Sequence, residues 1–257
     1  MVIFVYKPVY NDPYKFMTNG SFWYIFEYFL KTYELDKRTK FIFVSNKKFD
    51  LNSLKEYLDF KYIIDIPYEN IIILNYYELI NYVKLISTVV LDIETYSDEY
   101  IEKILMDKYI CLLYTSNFSK LMKDRYYKKN IFHFNEDEKY IKKIYFDILK
   151  VPERIDEGVY VNLSGKRVVS IEQFNEKIKP VLNKINKRKL ILVSDINSLF
   201  SKYLDYIGIN TFDRILYDIQ YQFDTYVDCA LNVFDYSPRM ILESHYFGKD
   251  VIYIDNG

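Results

Sequence analysis

The chain has 257 residues, 50% of them hydrophobic and 28% charged, and its 35 basic and 36 acidic side chains leave a net charge of −1. This balance excludes nucleic-acid binding through bulk charge, although a local basic patch could still bind DNA. No apolar run reaches the ~18 residues of a membrane-spanning helix, and the N-terminus lacks the basic region of a secretory signal peptide. We therefore expect a cytoplasmic protein without a membrane span.

Short β-rich segments alternate with helical patterns through the first half of the chain, as in parallel βαβ units. The segments with strand composition are 2–6, 40–44, 61–65, 88–92, 109–114 and 130–134. The segments with helical periodicity are 21–33, 52–58, 76–85 and 98–106. This alternation predicts an N-terminal Rossmann-like domain over residues 1–150.

A second series of the same kind follows LKVPERIDEG (149–158), which combines Pro, Gly and charge without apolar periodicity and is typical of a linker. The predicted strands are 159–163, 189–193, 229–233 and 250–254, and the predicted helices are 171–184, 198–206 and one that begins near Ser237. We therefore predict an α/β protein with two Rossmann-like domains, the second over 151–257. A single doubly wound domain with one large sheet is the structural alternative.

The stretch FDYSPRMILESHYFGKDVIYIDN (234–256) carries the signals of one helix. Ser237 is a favourable N-cap, Pro238 a favourable first residue and Gly248 a favourable stop. Arg239 then lies in the first turn beside unpaired backbone N–H groups, and Glu243 follows one turn later on the same face.

This arrangement suits a nucleoside diphosphate. A phosphate can bind both the N-terminus of the helix and the guanidinium group of Arg239, while the carboxylate of Glu243 can accept hydrogen bonds from a ribose diol. The alternative is that Arg239 and Glu243 form an ordinary i,i+4 surface pair, with Asp235 a solvated acid of the preceding loop.

Asp235 and Glu243, separated by seven residues, with SPRMILE leading into FGKDVIYI, resemble the acid-x7-acid motif of GT-B glycosyltransferases. These enzymes are built from two Rossmann-like domains that face a cleft. The resemblance implies that Glu243 binds the donor ribose and that the start of the helix, at Ser237 and Arg239, binds the diphosphate. The chain has Asp where the family has Glu at the first acid, which leaves the role of Asp235 open.

Two loops extend the resemblance. YVNLSGKRVVS places a small-residue loop with basic groups after the first strand of the second half, where the family binds donor phosphates; its residues are Ser164, Gly165, Lys166 and Arg167. MTNGSFWYIFEYF places a glycine-containing loop at the start of the first helix, on the acceptor side; its residues are Asn19, Gly20 and Ser21. The alternatives are a plain basic turn for the first loop and a simple helix entry for the second.

Within the GT-B family, the order of elements is most similar to that of phage DNA β-glucosyltransferases, which modify hydroxymethylated bases. In those enzymes a strand ends in an Asp-Ile pair that supplies the catalytic base, and TVVLDIETYS ends a predicted strand in Asp92, followed by Ile93 and Glu94. The resemblance implies that Asp92 takes the proton from the acceptor hydroxyl, with Glu94 the second candidate. The alternative is that Asp92 caps the next element.

The resemblance further implies a nucleotide-sugar donor, expected to be a UDP-sugar, from which a hexosyl or pentosyl group moves to a hydroxyl. No His, Cys or carboxylate spacing predicts a metal site, so Mg²⁺ would at most accompany the diphosphate. The acceptor would be double-stranded DNA with hydroxymethylated bases, bound by a basic, aromatic segment such as 120–130. A phage-encoded enzyme of this kind would act in the host cytoplasm.

Two other functions stay open at the level of the sequence. The acceptor could be a cell-surface saccharide, or the chain could be a non-catalytic Rossmann-like nucleotide-binding or interaction protein. A dehydrogenase or P-loop enzyme is disfavoured because neither G-x-G-x-x-G nor G-x-x-x-x-G-K-[ST] occurs.

Overall fold

The structure, a computed structural model, describes residues 1–8, 20–47, 51–62, 64–115, 130–136, 158–163, 170–185, 189–193, 207–209, 223–229, 231 and 239–254. The chain divides into two compact units, Met1–Lys150 and Val151–Gly257, and each unit contains its own sheet. No helix of the described residues is long and apolar enough to cross a membrane.

The sheet of the first unit has six parallel strands in the order β3-β2-β1-β4-β5-β6. This is the Rossmann order, in which the first strand lies at the centre. The strands are β1 Val2–Tyr6, β2 Lys40–Val44, β3 Ile71–Leu74, β4 Thr88–Asp92, β5 Tyr109–Thr115 and β6 Ile131–Glu136.

The helices of the first unit connect these strands. They are α1 Gly20–Leu35, α2 Leu51–Lys61, α3 Tyr76–Tyr82, α4 Ile93–Tyr96 and α5 Glu99–Ile104. Two 3₁₀ turns, Tyr68–Asn70 and Val83–Leu85, precede β3 and follow α3. α3 begins at a capping box, in which the Asn75 side chain accepts from the N–H of Glu78 and the Glu78 side chain accepts from the N–H of Asn75.

The central strands of this sheet are buried on both faces, as is usual for parallel sheets. Because side chains alternate along a strand, VIFVY sends Ile3 and Val5 to one face and Phe4 and Tyr6 to the other. The first face packs in a largely aliphatic cluster with α3 and α5. The second face packs under α1 in a layer of aromatic rings, among them Phe22, Phe26, Phe29, Phe41 and Phe43.

The predicted strand at 61–65 is wrong. Lys61 is the last residue of α2, and Tyr62 continues the helical hydrogen bonding by donating its backbone N–H to the Leu58 carbonyl at 3.0 Å. The strand is Ile71–Leu74, which pairs with β2 and leads directly to the cap of α3. The run YIIDIPYENIIIL holds two β-branched clusters, and pairing with β2 selects the second.

The sheet of the second unit has five parallel strands in the order β11-β10-β7-β8-β9. Its first strand, β7, again lies inside the sheet, and the later strands are added on both sides of it. The strands are β7 Gly158–Asn162, β8 Lys189–Val193, β9 Ile207–Ile209, β10 Thr225–Cys229 and β11 Asp250–Ile254. The described strands thus form two sheets, one in each unit, and not one continuous sheet.

The described helices of the second unit cover the two faces of this sheet. α6 Ile171–Gln173, a π-helical turn Phe174–Ile178 and α7 Lys179–Ile185 run on from one another and pack on one face. α8 Arg239–Tyr246 places Met240 and Ile241 on the other face. The helix predicted at 198–206 lies outside the described residues.

The predicted strand at 229–233 is displaced from the strand that forms. β10 is Thr225–Cys229, all five residues of which are buried, so only Cys229 is common to both. Asp228 interrupts the apolar pattern of TYVDC (225–229). In the structure the Asp228 carboxylate is buried inside the unit and accepts a hydrogen bond from Tyr226.

α8 ends as the sequence predicts. Gly248 has φ +69°, its N–H donates to the His245 carbonyl at 3.1 Å, and the N–H of Lys249 donates to the Ser244 carbonyl at 2.9 Å. This pair of hydrogen bonds is the Schellman motif, which requires a left-handed residue that Gly adopts without steric strain.

Candidate functional site

The carboxyl ends of β1 and β4 meet where the winding of the first sheet reverses. From β1 the strands run to β2 and β3 on one side and to β4, β5 and β6 on the other. The connections that follow β1 and β4 therefore lead to strands on opposite sides, and the crevice at such a point is where open α/β sheets bind ligands. Lys7 directly follows β1, and Asp92 is the last residue of β4.

Asp92, the predicted base, caps the short helix α4. Its Oδ1 accepts a hydrogen bond from the backbone N–H of Thr95 at 3.0 Å, and the residue is 3% exposed. The Thr95 hydroxyl accepts a hydrogen bond from the N–H of Lys7 at 2.9 Å. The capping role is therefore present, and it ties the end of β4 to the end of β1. The role of Asp92 as a base stays a prediction.

Glu94, the second candidate for the base, lines a cavity in this crevice. The cavity has a volume of about 390 Å³, and its wall consists of Lys7, Glu94, Ser97, Asp98, Glu99 and Tyr100. Glu94 is exposed, two residues along α4 from the buried Asp92. The structure thus places one predicted residue in the wall of the cavity and the other at the adjacent strand end.

Lys7, Asp98 and Tyr76 form a polar cluster at this cavity. The ammonium of Lys7 forms an ion pair with Oδ2 of Asp98, and the hydroxyl of Tyr76 donates to the same oxygen at 3.1 Å. Oδ1 of Asp98 accepts from the N–H groups of Tyr100 and Ile101, which makes Asp98 the N-cap of α5. One carboxylate therefore joins β1, α3 and α5.

This cluster shifts the pKa values of its members. Burial alone would raise the pKa of Asp98, but the hydrogen bond from Lys7, the N–H of Ile101 and the charge of Lys7 outweigh it and hold that pKa below its ordinary value. Burial alone would lower the pKa of Lys7, but the hydrogen bond to Asp98 and its charge raise that pKa above the usual one. Burial raises the pKa of Tyr76. At neutral pH the pair is therefore fully ionised.

The sequence motifs do not mark Lys7, Asp98 or Tyr76 as site residues. A signal for Asp98 was available, because DEYIEKI places an acid ahead of an apolar helical pattern, which is typical of an N-cap. Lys7 is a basic residue directly after a strand, but nothing in the sequence pairs it with a residue 91 positions away.

A buried polar network lies at the carboxyl ends of β7 and β10, the corresponding position in the second sheet. The hydroxyl of Tyr226 donates to Oδ1 of Asp228 at 2.9 Å, and the side-chain amide of Asn162 donates to the Tyr226 oxygen at 3.0 Å. Asp228 lies opposite Asn162 in the register, and all three residues are at most 3% exposed. The network fixes the two strand ends against each other.

Glu243, the predicted ribose ligand, is 2% exposed on α8. This burial is incompatible with the alternative of a solvated surface pair with Arg239. Arg239 is the first described residue of α8, whereas its side chain and the predicted helix start at Ser237, together with Asp235, lie outside the described residues.

The remaining predicted site residues fall largely outside the described ranges. They are Asn19 on the acceptor side and the donor loop Ser164, Gly165, Lys166 and Arg167. Gly20 and Ser21 are the first described residues of α1, a position that both the acceptor-side loop and a simple helix entry predict. Residues 120–129 of the basic, aromatic segment are likewise not described.

Within the described part of the chain, no group of three or more His, Cys, Asp or Glu side chains is placed to hold a metal ion. No protein-family model matches the sequence, and no curated protein matches it significantly. The function is therefore inferred from the two sheets and from the residues at their carboxyl ends.

Proposed function

We propose that the chain is a nucleotide-sugar-dependent glycosyltransferase of the GT-B type. The observation that supports this most is the presence of two parallel sheets, each wound in Rossmann order, in two units that divide at residues 150 and 151. Two consecutive Rossmann-like folds in one chain are what the resemblance implies. A protein that only binds a nucleotide needs a single such fold.

In this proposal the second unit binds the donor, for which a UDP-sugar is expected. The loop Ser164–Arg167, together with Ser237 and Arg239, binds the diphosphate, because backbone N–H groups and a guanidinium group complement its charge. Glu243 accepts hydrogen bonds from the ribose.

In the first unit Asp92 accepts the proton of the acceptor hydroxyl as the bond to the sugar forms and the bond to the diphosphate breaks. The end of β4 and the cap of α4 hold the carboxylate in place. Such positioning favours general-base catalysis, because the base loses no conformational freedom on reaching the reactive geometry.

The proposal is tested by calorimetric titration of the whole chain with UDP-, GDP-, CDP- and ADP-sugars, followed by transfer assays with the donor that binds. The acceptors are hydroxymethylated DNA, unmodified DNA and a set of saccharides. Transfer of the sugar to any hydroxyl acceptor supports the proposal, and failure of every donor to bind contradicts it.

A second candidate is a nucleotide-binding protein without catalysis. It is favoured by the burial of Asp92 and by the use of its Oδ1 as a helix cap, which a structural role explains without any chemistry. Tight donor binding without transfer to any of the acceptors would favour this candidate over the enzyme.

A further inference from the structure

We propose that the cavity at the carboxyl ends of β1 and β4 binds an uncharged saccharide through its hydroxyl groups. Its role as the acceptor site rests on the proposed function, whereas saccharide binding itself does not. The cavity of about 390 Å³ falls within the roughly 300–1,000 Å³ of small-ligand pockets.

The net charge of the residues that line the cavity distinguishes between anionic and uncharged ligands. Three carboxylates, Glu94, Asp98 and Glu99, stand against the one ammonium of Lys7, a formal charge of −2 at neutral pH. Lys103 lies 6.0 Å from the centroid of the Tyr100 ring but is not part of the wall. A polyanion such as DNA is repelled, because its closely spaced phosphates carry the same sign of charge as this wall.

The chemistry of the wall favours a polyol over an apolar ligand. Carboxylate oxygens accept hydrogen bonds from hydroxyl groups, and Lys7 and Ser97 can donate. An apolar molecule in the same place would strip water from these groups without replacing the lost hydrogen bonds. A ligand that carries many hydroxyls replaces them.

An aromatic ring at the edge of the cavity adds a second means of recognition. Tyr100 is 67% exposed, and its ring lies 5.5 Å from that of Tyr76, centroid to centroid. Tyr76 is in turn held by its hydrogen bond to Asp98 at 3.1 Å. A supported, exposed ring next to hydrogen-bond acceptors can cover the C–H face of a sugar while its hydroxyls reach the carboxylates.

The test uses the whole chain and saturation-transfer difference NMR with maltose, cellobiose, lactose and N,N′-diacetylchitobiose as probes. A heparin disaccharide and a 12-base-pair DNA duplex are the anionic competitors. We expect at least one uncharged probe to bind, and neither competitor to displace it. If none of the four disaccharides binds, or if the duplex displaces the one that does, the inference is wrong.

The location of binding is tested with one substitution and a matched control. Tyr100→Ala removes the ring and is expected to weaken binding of the probe by about fivefold or more, because the C–H face of the sugar then loses the apolar surface that covered it. Tyr77→Ala removes a tyrosine that is 82% exposed and absent from the wall, so it should leave affinity unchanged. Equal affinity of the Tyr100→Ala variant and the parent would overturn the assignment.

A second readout does not depend on any variant. Amide chemical shifts in ¹⁵N-labelled protein should change on probe binding at residues 94–100, whereas changes confined to α8 would place the saccharide elsewhere and overturn the inference. Saccharide binding here, without transfer from any nucleotide sugar, would refute the proposed enzyme but not the pocket. Transfer of the sugar to DNA, without saccharide binding, would support the proposed enzyme and refute the saccharide site.

Discussion

At the scale of single residues, Asp92 permits a substitution that separates its two roles. Asn is as good an N-cap as Asp, so Asp92→Asn should keep the hydrogen bond to Thr95 and leave the free energy of unfolding within about 1 kcal/mol of the parent. The amide cannot take a proton, so we expect the transfer rate to fall by ~10²–10⁴. The measurement is kcat with the best donor, beside a thermal melt.

The control for this variant is Asp107→Asn, which alters an exposed acid of the same unit and should change neither rate nor stability. Full activity of Asp92→Asn would mean that the base is another group, with Glu94 the next candidate because it lines the adjacent cavity.

Asp98 should make stability depend on pH at both extremes. Because its pKa in the folded protein is lowered, its contribution is present above the unfolded-state pKa of about 3.9 and is lost as pH falls through the folded value. Because the pKa of Lys7 is raised, its contribution is present below about 10.4 and is lost as pH rises through the folded value. Between these limits the contribution of the pair should be constant.

The check is urea unfolding of the parent and of Asp98→Asn from pH 3 to 9. The Asn variant keeps the N-cap and loses the ion pair, so the difference in unfolding free energy should be steady from pH 5 to 9 and shrink below pH 4. Asp98→Ala also loses the cap and should be less stable by about 0.5–2 kcal/mol more. A difference that does not vary with pH would exclude an ionic contribution from Asp98.

Glu243 is expected to affect both donor binding and stability. Loss of a hydrogen-bonding carboxylate should weaken donor binding by ~1–3 kcal/mol, and because the residue is 2% exposed, Glu243→Ala should also lower the free energy of unfolding by a similar amount. Calorimetry and urea unfolding measure the two effects. Unchanged donor affinity together with lost stability would assign Glu243 a structural role alone.

At the scale of elements, the end of α8 depends on the backbone of one glycine. Gly248 has φ +69°, and a Cβ built there meets nothing within 4 Å, so the penalty of Gly248→Ala is backbone strain and not a clash. We expect a loss of about 1 kcal/mol. Gly248→Asn should lose less, because Asn tolerates the left-handed region better. Equal stability of the Ala and Asn variants in urea unfolding would contradict this ranking.

At the scale of the whole molecule, each unit has a buried hydrophobic cluster of its own. Leu112 on β5 is 0% exposed, so Leu112→Ala should destabilise the first unit by about 2–5 kcal/mol through lost burial and a cavity. Hydrogen exchange should then quicken in β1, β4 and β5 while β7 and β10 keep their protection. Equal loss of protection in both sheets would show that the units unfold together.

The sequence alone determined the features that depend on interactions between neighbouring residues. The alternation of strand and helix, the bounds of β1 and β2, and the stop of α8 at Gly248 follow from side-chain periodicity and from glycine's tolerance of a left-handed backbone. Asp92 was placed correctly at a strand end for the same reason. These features depend on residues within a few positions of one another.

The tertiary structure decided the features that depend on contacts between residues far apart in the sequence. Ile71–Leu74, and not 61–65, forms the third strand because it pairs with β2. Asp228 can lie buried in a strand because its carboxylate accepts hydrogen bonds from Tyr226 and Asn162. Lys7, Tyr76 and Asp98 meet only because β1 and β4 are neighbours in the sheet. No local pattern encodes these contacts, because their stability comes from burial and hydrogen bonds that exist only once the strands have paired.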